Sequence, residues 1–173
     1  MPSPPHNNPT ATPPAPTVDP QAPGRTRVLV TGSRTWTDTT TIHTALNALH
    51  TQHRAGLVVL HGACPRGADA ITDAWCTRHR VPVERYPANW RRLGTRAGHA
   101  RNAAMVATGP ARCLAFIRDR SPGATGCAAL AEAAGIPTTH HTAPSRPPDR
   151  RASVDQMTRP AHTTAATREA RRG

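Results

Sequence analysis

Between residues 26 and 140, short apolar runs alternate with stretches whose apolar residues recur every three or four positions. Val28-Leu29-Val30-Thr31 and Leu57-Val58-Val59-Leu60 are β-branched or aliphatic runs that end in Gly32-Ser33 and His61-Gly62, the pattern of buried strands entering turns. Val81 to Tyr86 is a third strand, interrupted at Pro82 and so placed near a sheet edge. Cys113 to Ile117 is a fourth, and Pro137-Thr138-Thr139 is at most a short last one. Helices are expected after Asp38, an N-cap ahead of Ile42, Ala45, Leu46 and Leu49, and over 68–79, 96–108 and 125–134. Gly135 closes the last helix. A long connection fills 87–95. No Asn-Gly or Asp-Gly hairpin turn joins consecutive strands, so the alternation reads as βαβ units. The expected fold is α/β: a single Rossmann-like, doubly wound parallel sheet with helices on both faces.

Proline marks where that domain stops. Nine of the 19 prolines lie in residues 1–24, a Pro/Thr/Ala-rich stretch without apolar periodicity. Such a segment cannot bury enough apolar surface to offset the entropy of ordering it. The expected organisation is a disordered tail over 1–24, a folded domain over 25–142 and a disordered Arg-rich tail over 143–173. No window approaches the roughly 18 apolar residues of a spanning helix, and no basic segment precedes an apolar one at the start. The four cysteines form no CxxC, so reduced thiols, a cytoplasmic location and no membrane partner are expected.

All 22 basic residues are Arg, and the chain carries a net charge of +12, of which +9 falls in residues 25–145. A basic body fits an anionic partner, whether nucleic acid, nucleotide or phosphate, but it fits a solvated surface equally well. The loops after the strands carry more information, because ligands of open parallel sheets bind beyond the carboxyl ends of the strands.

Four loops stand out. In the first, Gly32 allows close backbone approach, Ser33 offers a hydroxyl and Arg34 a fork of donors. In the second, Gly62 and Gly67 bracket Arg66 ahead of a helix whose N-terminus favours an anion. Asp69 there could bond a ribose hydroxyl or simply stabilise the helix start, and His61 with Cys64 is too small a set for a metal site. In the third, Trp90 could stack on a base or anchor its loop on Leu93, while Gly98, Arg101 and Asn102 lie at the start of the next helix. In the fourth, Gly123 and Thr125 sit where small residues would let helix amides approach a phosphate.

The ordered blocks VLVTGSR, LHGACPRGADAITDAW, YPANWRRLGTRAGHARNAAM and AFI with SPGATG resemble the YspA-type, YpsA-related branch of the SLOG superfamily over residues 26–140. Its Rossmann-like relatives include the Lonely-guy phosphoribohydrolases and DNA-processing protein A. The resemblance implies a nucleotide-derived ligand held by Gly32, Ser33, Arg34, Gly62, Arg66, Gly67, Asp69, Trp90, Gly98, Arg101, Asn102, Met105, Gly123 and Thr125. It calls for no cofactor, and since such relatives commonly dimerise it brings in a homodimer. Arg101-Asn102 looks similar to the Arg-Lys pair of Lonely-guy enzymes, whose Arg assists cleavage of an N-glycosidic bond. Those enzymes also carry a catalytic Glu in PGGxGTxxE. No carboxylate aligns with it here, the nearest being Glu132, and Asn89 stands where family members tend to have Asp.

Three readings follow. A binding or sensing domain for a nucleotide or nucleotide-derived small molecule comes first, since it needs only the amides and Arg residues. A nucleoside 5′-monophosphate phosphoribohydrolase comes second, with Arg101 and Asp69 as the candidate catalytic residues. A single-stranded nucleic-acid module comes third, with Trp36 and Trp90 as stacking platforms.

Overall fold

The computed structural model describes residues 24–143. Five parallel strands form one sheet in the order β3-β2-β1-β4-β5. They are β1 (Thr26–Gly32), β2 (Leu57–His61), β3 (Val83–Arg85), β4 (Arg112–Arg118) and β5 (Thr138–Ala143). The helices between them are α1 (Thr39–His53), α2 (Ala68–His79), α3 (Trp90–Leu93), α4 (Ala97–Ala107) and α5 (Pro122–Ala133). The expectations for the two tails lie outside the described residues, apart from Gly24 and Ala143.

Strand alternation builds two cores. Val28 and Val30 of β1 face one side, with Leu57 and Val59 of β2, and meet Ile42, Leu46 and Leu49 of α1 and Trp75 and Cys76 of α2. Leu29 and Leu60 face the other side, against Met105 of α4 and Cys127 and Ala131 of α5. All five residues of β2 are buried, as a strand covered on both faces requires. The doubly wound sandwich expected from the sequence is therefore the observed fold. Among the described residues, no helix is long and apolar enough to cross a membrane.

Local chemistry sets the boundaries. The Asp38 carboxylate accepts from the Thr41 amide at 3.0 Å and caps α1. Gly135 takes φ +74° after α5, with its amide donating to Glu132 O at 2.9 Å. Pro82 precedes β3, which is an edge strand. Three expectations need correction. The connection over 87–95 contains α3 and the start of a 3₁₀ turn over Gly94–Arg96, because Asn89 Oδ1 accepts from the Arg92 amide and caps a single helical turn. Helix α5 begins at Pro122 rather than Thr125, since proline suits the first helical position, and Thr125 does not cap it. The last strand is six residues long, paired with β4 from Cys113 to Arg118, although its sequence is largely polar.

Candidate functional site

Every strand delivers its carboxyl end to the same edge of a parallel sheet, and there a cavity of about 720 Å³ opens. Its walls come from Thr31 and Gly32 at the end of β1, Arg34 just beyond, the Gly62–Arg66 loop after β2 and Asp69 of α2. Pro87, Ala88 and Trp90 follow β3, while Arg101 and Met105 of α4 and Gly123 and Ala124 of α5 complete it. Glycine at two of these places is dictated by crowding. A Cβ on Gly32 would stand 2.9 Å from the Phe116 carbonyl oxygen, and one on Gly62 would strike the Arg101 guanidinium.

Arg101 is held in place before any ligand arrives. Its Nε donates to Asn102 Oδ1 at 2.9 Å and its Nη1 to the Gly62 carbonyl. Asn102 is buried and passes the restraint on, donating through Nδ2 to Gly123 O at 3.1 Å. Helix α4, the loop after β2 and the first turn of α5 thus share one network. Asp69 is only 6 % exposed and accepts from the Cys64 amide at 3.0 Å. Burial pushes its carboxyl above the ordinary carboxylate range, and the Cys64 amide, His61, Arg101 and Arg34 only partly offset that. Trp90 is 51 % exposed at the cavity mouth, with the Arg34 guanidinium carbon 5.9 Å from its ring centroid.

A second network shapes the loop from behind. His61 Nδ1 accepts from the Ala63 amide at 3.1 Å, so Nε2 carries the proton and donates to Asp73 Oδ1 at 3.0 Å. Arg85 Nε donates to the same oxygen at 2.6 Å, which holds the Asp73 carboxyl below its usual range. Ala63 stands at φ +55°, a left-handed conformation that is costly for a residue with a Cβ. The His61 bond is what fixes that turn.

The family model described as YspA, cpYpsA-related SLOG matches residues 26–93. The Gene 61 protein of Mycobacterium phage D29 is 46% identical over 117 residues, which is 64% of this chain and 92% of that protein. The chain belongs to the YspA, cpYpsA-related SLOG family. No solved structure matches it significantly. SLOG membership goes with a nucleotide-related role on a Rossmann-like fold. The family model spans β1 to α3, so it takes in Arg34, Arg66, Asp69 and Trp90, while Arg101 and Gly123 lie beyond it.

Of the residues that the sequence nominates in this SLOG chain, Gly32, Arg34, Gly62, Arg66, Asp69, Trp90, Arg101, Met105 and Gly123 line the cavity. Five others do not. Ser33 is buried, its Oγ donating to Arg118 O at 2.9 Å and accepting from Arg118 N at 2.7 Å, so it ties β1 to β4. Gly67 has φ +71° and lies against the Ser33–Arg34 backbone at the start of α2. Gly98 lies beside the Trp90 ring, where a Cβ would meet the ring at 3.6 Å, an ordinary contact. Asn102 positions Arg101, and Thr125 is exposed. Trp36 is buried edge-on against Phe116 at 5.4 Å and is no stacking platform. Glu132 pairs with His140 at 2.6 Å and does not line the cavity. Sequence reasoning passed over Ala63, Pro65, Pro87, Ala88 and Ala124, which carry no chemical signature, and gave His61 no part in shaping the loop. Among the described residues no group of three or more His, Cys, Asp or Glu is placed to hold a metal ion.

Proposed function

We propose that this SLOG domain binds or senses a nucleotide or a nucleotide-derived small molecule in the cavity at the carboxyl edge of its sheet. One observation carries the reading: Arg34, Arg66 and Arg101 come from three separate loops and helices, yet all line one cavity. Three Arg against a single carboxylate, Asp69, in the lining leave an excess of positive charge that suits a phosphate-bearing ligand. Glycine at 32, 62 and 123 keeps the walls close to main chain, and residues of the first turns of α2 and α5 line the same space. Trp90 at the mouth supplies a flat apolar face for a base. A thermal-shift panel of nucleotides tests this, since a ligand that binds only the folded state raises its melting temperature. At least one nucleotide or nucleotide derivative is expected to stabilise the wild type and to lose that effect with Arg101→Ala. A panel without any stabilising member overturns the reading.

A phosphoribohydrolase is the second reading, and the Asp69 carboxyl is what favours it. A buried acid with a raised pKa beside an Arg is the type of group that can donate a proton to the leaving base as water takes its place at the ribose C1′. Release of free base from a nucleoside monophosphate, abolished by Asp69→Asn, is the expected result if this reading holds.

A further inference from the structure

We infer that the ligand does not end inside the cavity: the domain takes the phosphate-bearing terminal nucleotide of a short single-stranded oligonucleotide, whose backbone leaves past Trp90 along Arg91, Arg92 and Arg96. The inference rests on the nucleotide reading of the cavity and adds the class of partner. From Arg85 to Arg118 the chain carries seven Arg and no acidic residue. Three of those Arg, at 91, 92 and 96, follow Trp90 within six residues and lie outside the cavity lining. All three are exposed, and among the described residues none forms an ion pair. Arg85 and Arg118, at the two ends of this stretch, are each paired to an Asp, and Arg112, exposed and without an ion pair as well, stands at the start of β4, the opposite edge of the sheet from the cavity.

A mononucleotide would be neutralised by Arg34, Arg66 and Arg101 alone. The three further Arg that follow Trp90 have no internal ion partner among the described residues, and they have a phosphate to meet only if the anion continues outward. Trp90 links the two regions. It opens α3, lines the cavity, and is the one large hydrophobic side chain left exposed among the described residues. A ring at the exit, followed by Arg91 and Arg92 in the same helical turn and Arg96 just after, alternates a stacking surface with phosphate-binding groups, which is how single strands are held without sequence readout.

The test is a length series on the full chain: adenosine monophosphate and 5′-phosphorylated oligoadenylates of two, three and four nucleotides, with adenosine tetraphosphate as a charge control. Affinities are measured by calorimetry at two salt concentrations, for the wild type and for Arg91→Gln/Arg92→Gln/Arg96→Gln. Affinity is expected to rise with length. The triple variant should leave the mononucleotide within about twofold and weaken the tetranucleotide by at least about tenfold. It should also flatten the salt dependence of the tetranucleotide, by about 0.7 logarithmic units of slope for each phosphate of the single strand that is no longer neutralised. Mononucleotide binding without any gain from length overturns this inference and leaves the cavity reading standing. Equal gain from adenosine tetraphosphate also overturns it, by making the partner a nucleoside polyphosphate. Equal weakening of mononucleotide and tetranucleotide in the triple variant overturns it as well. Oligonucleotide binding with no mononucleotide binding overturns both readings, because the terminal nucleotide would then have no site of its own.

Discussion

Arg101 donates to the carbonyl of Gly62, and its guanidinium occupies the space that a side chain at position 62 would need. The glycine therefore leaves room for an arginine from another helix. Gly62→Ala should eject the guanidinium while leaving the backbone unstrained, since the obstructing atoms are the far end of a flexible side chain. Nucleotide affinity is expected to fall about tenfold, or about 1.4 kcal/mol. Adding Arg101→Ala to Gly62→Ala should cost little more, because both remove the same interaction. Additive losses in a double-mutant cycle would show that Gly62 acts by another route.

Asn102 supports that arginine from below. Asn102→Ala strips the partner from Arg101 Nε and from the Gly123 carbonyl together. Leaving a polar group unpaired in a buried place costs about 1–3 kcal/mol, and since these two bonds are only part-buried the lower end of that range is expected. A urea titration should show that loss, with a reduced response to nucleotide at the same time. A variant as stable as the wild type would mean that water replaces the side chain.

The elements that the sequence disclosed are those whose side chains decide their own burial. Val28, Leu29 and Val30 form a short β-branched and aliphatic run that suits a strand covered on both faces, and the Ile42, Leu46 and Leu49 spacing suits a helix with one apolar side. Helix α3 escaped, and strand β5 showed only as the short Pro137-Thr138-Thr139 run, because neither has an apolar period. One turn capped by Asn89 is too short to show one, and Thr-Thr-His-His-Thr-Ala is drawn into the sheet by backbone pairing with β4 and by His141 stacking on Phe116 at 4.7 Å. In the site, the loops could be found because they follow strands. Which of two neighbours turns inward could not. Ser33 and Arg34 are adjacent, as are Arg101 and Asn102, and in each pair the Arg reaches the cavity while its neighbour braces the frame. The left-handed turn at Ala63 left no mark, because alanine is not the residue that such a turn ordinarily selects.

Cys64 reports on the cavity without any need to perturb it. Cys76, Cys113 and Cys127 are buried, and burial pushes the thiols of Cys76 and Cys113 up to about 12. Cys64 is partly exposed on the cavity wall. A thiol reagent at neutral pH should therefore modify one thiol per folded chain quickly and all four in denaturant, since the thiolate is the reacting species. Bound nucleotide should slow that single reaction. Uniform labelling of several thiols in the folded chain would contradict the burial pattern.

Asp69 gives stability a dependence on pH whose sign follows from burial. Its carboxyl holds a proton to higher pH in the folded chain than in the unfolded one, because desolvation outweighs the neighbouring donors and cations. Across the interval between those two values the folded state binds more protons, so stability falls as pH rises. The penalty is absent below the ordinary carboxylate range and complete once the folded carboxyl has ionised. Asp69→Asn removes the titration and keeps an oxygen that can accept from the Cys64 amide. Asp38 and Asp73, whose carboxyls are held low by Thr41 and by Arg85, contribute stability that is lost on acidification. They do so in both proteins and cancel in the difference. Denaturant unfolding from pH 4 to pH 8 should therefore show the variant gaining on the wild type as pH rises. A difference that stays flat, or that runs the other way, would mean that Arg34 and Arg101 stabilise the ionised carboxylate more than burial opposes it.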